Sequence, residues 1–254
     1  TSITLKGTGG VAVIASEGTT VNAQTATVEL IGTNIKGVGV YAKKGSTANT
    51  AGWTFKNNGN QAEEVRSEEG QVAIGAGLKL LNPRMVLSHV INGETYVAAG
   101  GTVRSQNDGS HTAKENIGLM AEGIKDPVAT PAWKNGDYEV LNKGILNFSN
   151  AIKSTAIYSV SSRAKNEGSI EVGNESTGIY GEYDKNTPKY DGTTPNKSLI
   201  ETTATSSITL KGNESTGIYL KNLKDVENKG SITAIAGKTQ NIGIYAINDG
   251  TAND

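Results

Sequence analysis

The hexapeptide Ser2-Ile3-Thr4-Leu5-Lys6-Gly7 returns letter for letter at Ser207-Ile208-Thr209-Leu210-Lys211-Gly212. A chain that repeats itself is confined to architectures made by stacking, because each unit buries its apolar face against the next copy. Related strands stand at Thr27-Val28-Glu29-Leu30, Ser169-Ile170-Glu171-Val172 and Ser231-Ile232-Thr233-Ala234, with a looser copy at Ile145-Leu146-Asn147-Phe148. A second signature follows: Gly39-Val40-Tyr41, Gly178-Ile179-Tyr180, Gly217-Ile218-Tyr219 and Gly243-Ile244-Tyr245, with variants Ala156-Ile157-Tyr158 and Gly118-Leu119-Met120. The alternation of these two signatures down the chain predicts a solenoid.

The interval from Leu146 to Ile170 and from Ile208 to Ile232 is 24 residues, and from Ile3 to Val28 it is 25. Ile170 to Ile208 is 38, an excess of 14 that falls in the Pro-containing stretch from Tyr183 to Asn196 and predicts an exposed loop. Asn-x-Gly precedes the strand at Asn142, Asn166 and Asn228, where Gly allows positive φ at a corner and a stacked Asn bonds backbone groups across it.

Apolar residues in these segments alternate by two, not by three and four, so they read as strands. Leucine-rich repeats share the length but not the spacing of Leu. Short strands joined by Gly and Asn corners predict an all-β chain, a right-handed parallel β-helix of about nine coils rising about 4.8 Å each. It is read as one domain over 1–254, a piece cut from a longer protein, with insertions at about 43–70, 100–116, 123–138 and 182–204. One inward ladder is Val13, Val40, Leu119, Ile157, Ile179, Ile218 and Ile244; the other is Ile3, Val28, Leu146, Ile170, Ile208 and Ile232. The Gly before each Ile is expected to flatten an outer strip. The Tyr41, Tyr158, Tyr180, Tyr219 and Tyr245 column has two readings: a surface for sugar rings or a partner, or a stack that only stabilises the coil.

A net charge of −1 argues against a nucleic-acid groove, and no apolar run reaches the ~18 residues of a membrane-spanning helix. The lack of Cys removes thiol and zinc-finger chemistry. No metal or cofactor is expected: two distant histidines make no zinc site, and no Asp run resembles a calcium loop. Gly173-Asn174-Glu175-Ser176-Thr177-Gly178 looks like a nucleophile turn, yet it recurs as Gly212-Asn213-Glu214-Ser215-Thr216-Gly217. A nucleophile would not recur in every coil, so this is a corner. His89 reads as a packed strand residue and His111 as a turn residue. A carbohydrate-active enzyme would need a column of Asp residues, which the spacing does not give.

The rhythm weakens between Lys43 and Val140, where Trp53, Arg84, Arg104 and Trp133 gather. A regular solenoid does not need such residues, and loops on a rigid scaffold are where binding concentrates. These four are the candidate ligand-binding residues; no catalytic residue is expected.

The run Ile208-Thr209-Leu210-Lys211-Gly212-Asn213-Glu214-Ser215-Thr216-Gly217-Ile218-Tyr219 resembles repeats of the large fusobacterial type V autotransporter adhesins, the RadD-like group. So does the non-repeating Asn82-Pro83-Arg84-Met85-Val86-Leu87-Ser88-His89-Val90-Ile91-Asn92-Gly93-Glu94-Thr95. The resemblance implies a secreted passenger on a Gram-negative outer surface, its barrel translocator elsewhere, attaching to glycans or proteins of host cells or other bacteria. A monomeric, Cys-free rod agrees with export through a barrel. The alternatives are a plain spacer and a carbohydrate-active β-helix enzyme.

Overall fold

The computed structural model describes residues 2–6, 9–22, 26–31, 37–50, 53–57, 62–74, 78–80, 83–105, 112–126, 133, 135–187 and 198–250. Every element among them is a strand. The first coil is β1 (Ser2–Lys6), β2 (Val11–Ala15) and β3 (Thr20–Val21); the second is β4 (Ala26–Ile31), β5 (Val38–Ala42) and β6 (Thr47–Asn49). Then come β7 (Trp53–Asn57), β8 (Glu63–Glu68) and β9 (Gln71–Ile74), and β10 (Leu78–Leu80), β11 (Val86–Ile91) and β12 (Glu94–Val97). The fifth coil is β13 (Thr102–Ser105), β14 (Ile117–Glu122) and β15 (Val140–Asn142); the sixth is β16 (Ile145–Phe148), β17 (Thr155–Val160) and β18 (Arg163–Asn166). The seventh is β19 (Ser169–Val172), β20 (Thr177–Glu182) and β21 (Leu199–Thr202), and the eighth β22 (Ser207–Leu210), β23 (Thr216–Lys221) and β24 (Asp225–Asn228). The ninth holds β25 (Ser231–Ala234) and β26 (Ile242–Ile247).

Each strand pairs in parallel with its counterpart one coil away. The first face runs in two sections, β1-β4-β7 and β10-β13-β16-β19-β22-β25. The second face is an unbroken nine-stranded sheet from β2 to β26, and the third has eight strands from β3 to β24. The protein is a parallel β-helix. Trp53 to Val140, where the repeat is hardest to read, supplies strands to all three faces, with the one break in pairing among the described strands between β7 and β10. No helix of the described residues is long and apolar enough to cross a membrane.

The register follows the predicted ladders. Ile157 faces Ile179, which faces Ile218, and Ile170 faces Ile208, which faces Ile232. Val40, Ile157, Ile179, Ile218, Ile170 and Ile208 are buried; each such side chain contributes about 1.5–3 kcal/mol. Ile232 is partly buried against the core, and Ile244, in the last coil of the stack, is 46 % exposed.

The Gly before each Ile does not flatten an outer strip. Alternation breaks there, and Gly and Ile both face inward while Tyr points out. A Cβ on Gly217 would lie 2.6 Å from Ile232 Cγ2, and one on Gly178 2.9 Å from Ile208 Cγ2. The missing side chain makes room for the large apolar residue of the first face. Where Glu64 takes this position in β8 it is buried, and burial holds its carboxyl well above the usual carboxylate range.

The corners carry their own ladders. Asn142 Nδ2 donates to Asn166 Oδ1 at 2.8 Å, and Gly144 N donates to Asn142 Oδ1 at 3.1 Å, the stacked Asn turn expected. Its Gly is required by close approach rather than by positive φ: a Cβ on Gly168 would overlap the carbonyl of Gly144. Ahead of the second face, Asn116 N donates to Ser154 Oγ and Ser154 N to Ser176 Oγ, each at 3.1 Å, which fixes the Asn-Glu-Ser-Thr-Gly motif as a corner.

Two expected insertions shrink. Residues 43–70 carry β6, β7 and β8, and 182–204 carries β21, all of them coil strands, while 188–197, most of the loop expected over Tyr183–Asn196, lies outside the described residues. The segment after β20 starts packed on the scaffold: Thr187 is buried, and Ser161 Oγ and Asp184 exchange two 2.8 Å bonds. Within 100–116, β13 is again a coil strand, and 106–111, with His111, lies outside the described residues.

Candidate functional site

The outer surface of the nine-stranded sheet carries one column, Ile14, Tyr41, Arg66, His89, Met120, Tyr158, Tyr180, Tyr219 and Tyr245. The tyrosines point outward. Tyr158 and Tyr180 stack with centroids 4.6 Å apart and planes 5° from parallel; Tyr180 and Tyr219 follow at 5.0 Å and 6°, and Tyr219 and Tyr245 at 5.2 Å and 37°. Such offset stacks stabilise by about 0.5–1.5 kcal/mol per pair. They also consume the ring faces, so the inner rings show edges and hydroxyls to solvent. Tyr180 Oη donates to Glu182 Oε2 at 3.2 Å, and Lys221 Nζ lies 2.6 Å from Glu182 Oε1.

Where the column leaves tyrosine, charge replaces it. His89 Nδ1 is 2.8 Å from Glu63 Oε1 and its Nε2 3.3 Å from Glu122 Oε1, so the ring is held between the coils below and above. Arg66 also reaches Glu63 and Glu68, at 3.3 and 3.1 Å. Burial disfavours the His89 cation, but the bonds to Glu122 and Glu63 outweigh it and push the imidazole up to about 9. It is an imidazolium packed in a strand, not a general base for neutral pH.

A second charged group ties down the described residues of the expected 123–138 insertion, 123–126, 133 and 135–138; 127–132 and 134 lie outside the described residues. Glu94, at the start of β12, is fully buried and pairs with Lys125 Nζ at 2.7 Å; Lys125 is 1 % exposed. Lys125 Nζ also donates to the carbonyl of Tyr138 at 2.7 Å. Glu139, equally buried, takes Arg163 Nη2 at 2.8 Å, Arg163 N at 2.7 Å and Lys125 N at 3.2 Å. Asn135 N and Nδ2 bond Glu94 and the Thr95 carbonyl. Burial holds the Lys125 ammonium below its ordinary range even against Glu94, while for Arg163 the bonds from Glu139 outweigh burial.

The chain matches no family model, no curated protein and no solved structure. Its own residues therefore carry the functional reading.

The four predicted binding residues are not brought together. Trp53 is 5 % exposed; it lies in β7, stacked on Phe55 at 6.0 Å, inside the core. It fills the coil and is not a loop contact. Arg84 is exposed but occupies a corner at φ 59°, where its Nε meets Glu115 of the next coil at 2.8 Å. The same corner position holds Glu115, Lys153, Glu175 and Glu214, all at positive φ, and Lys153 meets Glu175 at 3.1 Å. Arg84 thus belongs to a column of corner charges. Arg104 is exposed on β13 of the first face. Trp133 is half-buried; its indole donates to the Asp126 carbonyl, and Lys125 Nζ sits 5.3 Å from its ring centroid. It anchors the 123–138 excursion.

Sequence reasoning did not single out Glu63, Glu94, Glu122, Lys125, Glu139 or Arg163. Each is an ordinary charged residue until the register puts opposite signs in adjacent coils, and the loops between those coils differ in length.

Proposed function

We propose that this chain is a surface-exposed adhesive rod segment, an autotransporter-type passenger piece that attaches a Gram-negative cell to glycans or proteins of other cells. The observation that carries this reading is the clamp on 123–138. A bare spacer has no use for an excursion held by fully buried Glu94 and Glu139, because burying charge costs the scaffold stability that apolar packing would give. A parallel β-helix supplies the stiff, extended support on which such an excursion is displayed. The resemblance of 82–95 and 208–219 to adhesin passengers points the same way.

The spacer reading draws on the burial of Trp53 and the pairing of Arg84. One experiment separates the two. Beads coated with the protein are counted on bacterial and mammalian cells, beside beads whose protein has 126–134 replaced by a Gly-Ser linker. Attachment lost with an unchanged melting temperature supports adhesion through the excursion; attachment by neither protein overturns adhesion.

A further inference from the structure

Four asparagines open an Asn-x-Ser triplet: Asn147, Asn174, Asn196 and Asn213. Two of these triplets, Asn174-Glu175-Ser176 and Asn213-Glu214-Ser215, are identical and lie one coil apart at the corner between the first and second faces. Both asparagines are exposed, while Ser176 and Ser215 are buried. Such a triplet on a surface turn is the acceptor pattern for N-linked sugar: the carboxamide nitrogen takes the sugar, and the transferring enzyme reads the hydroxyl two residues on.

The bonds of the corner decide which carboxamide atom stays available. Asn213 N donates to Asn174 Oδ1 at 2.9 Å, and Thr239 N to Asn213 Oδ1 at 3.1 Å. A backbone N–H only donates, so each carboxamide must present its oxygen to the next coil, and Nδ2 is the end left over. Neither Nδ2 has a partner among the described residues. A sugar there replaces one amide hydrogen and breaks no bond of the ladder. The other Asn corner is built the opposite way: Asn142 Nδ2 donates to Asn166 Oδ1 at 2.8 Å and Asn166 Nδ2 to the Gly168 carbonyl at 3.3 Å, so a sugar on either would cut the stack. The serine hydroxyls are not available once the corner has formed. Ser176 Oγ donates to the Asn174 carbonyl at 2.9 Å and Ser215 Oγ to the Asn213 carbonyl at 3.1 Å, and the folded corner hides both from an enzyme.

We infer that Asn174 and Asn213 are attachment sites for N-linked sugar, which a glycosyltransferase places on the chain before these coils close. Nδ2 bonds to the anomeric carbon of a phosphate-activated sugar, the bond from that carbon to the phosphate oxygen breaks with its electron pair, and Nδ2 gives up one proton. The sites do not depend on what the rod attaches to. The deciding test is peptide mass spectrometry on protein isolated from the cells that naturally make it. Sugar on Asn174, Asn213 or both is the expected result. Both bare, or sugar confined to Ser and Thr or to Asn147 and Asn196, overturns the sites. The order of events is tested by co-expressing the chain with a transferase that uses UDP-glucose, and separately by adding that enzyme and UDP-glucose to the purified folded protein. Modification of the two asparagines is expected during synthesis and at least tenfold less on the folded protein; equal modification of the folded protein overturns the order. In co-expression Ser176→Ala is expected to leave Asn174 bare while Ser176→Thr keeps its sugar. The acceptor is the unfolded chain, so a folding defect does not explain such a loss. The glycosylated protein is expected to melt at the same temperature as the bare one, and a lower value would show that Nδ2 is not free in the corner.

Discussion

Gly217 and Gly243 belong to the same Gly-Ile-Tyr signature, yet the structure gives them different burdens. A Cβ at Gly217 meets Ile232 Cγ2 and the Gly243 carbonyl, both at 2.6 Å, whereas one at Gly243 meets nothing within 4 Å. Gly217→Ala is expected to cost about 1–3 kcal/mol through overpacking, and Gly243→Ala only a few tenths. Denaturant melts of the two variants check this, and equal losses would show that backbone freedom, not space, is what the Gly supplies. Strand alternation alone places Gly on the outside, which is why the sequence misplaced it: the break sits between two residues that period-two reasoning treats as opposite. The Tyr column, by contrast, was legible in its register, while its direction and its role, a surface for sugar rings or a partner against a stabilising stack, were open; the rings point outward and stack.

At the scale of elements, the strands and both ladders were readable because identical residues recur in register. Coils three to five were harder, since Glu64, Ser88 and His89 replace Gly, Ile and Tyr at matching positions. The clamp on 123–138 was not readable at all, because Glu94 and Lys125 meet only after the chain has gone round a coil. Lys125→Met leaves Glu94 buried without its cation and is expected to lower stability by about 3–5 kcal/mol, while Lys125→Met with Glu94→Leu recovers most of the loss. Chemical denaturation of the single and double variants measures this; a double variant no better than the single would show that packing, not charge, is what Lys125 provides. The His89 triad gives a pH signature. Its folded pKa lies at about 9, above the ordinary 6.5, so its contribution is whole below about pH 6.5 and fades as pH climbs through about 9. Melting temperature is expected to fall over that window in the wild type and to flatten in the Glu63→Gln, Glu122→Gln double variant; an identical slope in both would remove His89 as the cause.

Over the whole molecule, strand pairing runs only between neighbouring coils, so stability is close to a sum along one axis. In the ninth coil Ile242, Ile244, Tyr245 and Ile247 are all exposed. Amide exchange is expected to be at least a hundredfold faster in Ile242–Ile247 than in Thr155–Val160, with β20 and β23 grading between them. Uniform protection from β17 to β26, read by mass spectrometry, would mean that the rod unfolds as one block.

The repeated and the singular coils also differ in how such a gene can change length. From the sixth coil onward, Ile faces Ile and Tyr faces Tyr, so unequal exchange between repeats can add or drop a coil and leave the seam indistinguishable from its neighbours. The fourth coil cannot be copied that way. A second His89 would separate the first from Glu122, and a second Glu94 would enter the interior without a second Lys125. Copy number is therefore free to drift among the sixth to ninth coils and is held fixed at the fourth, where each charge already has its partner in the coil beside it.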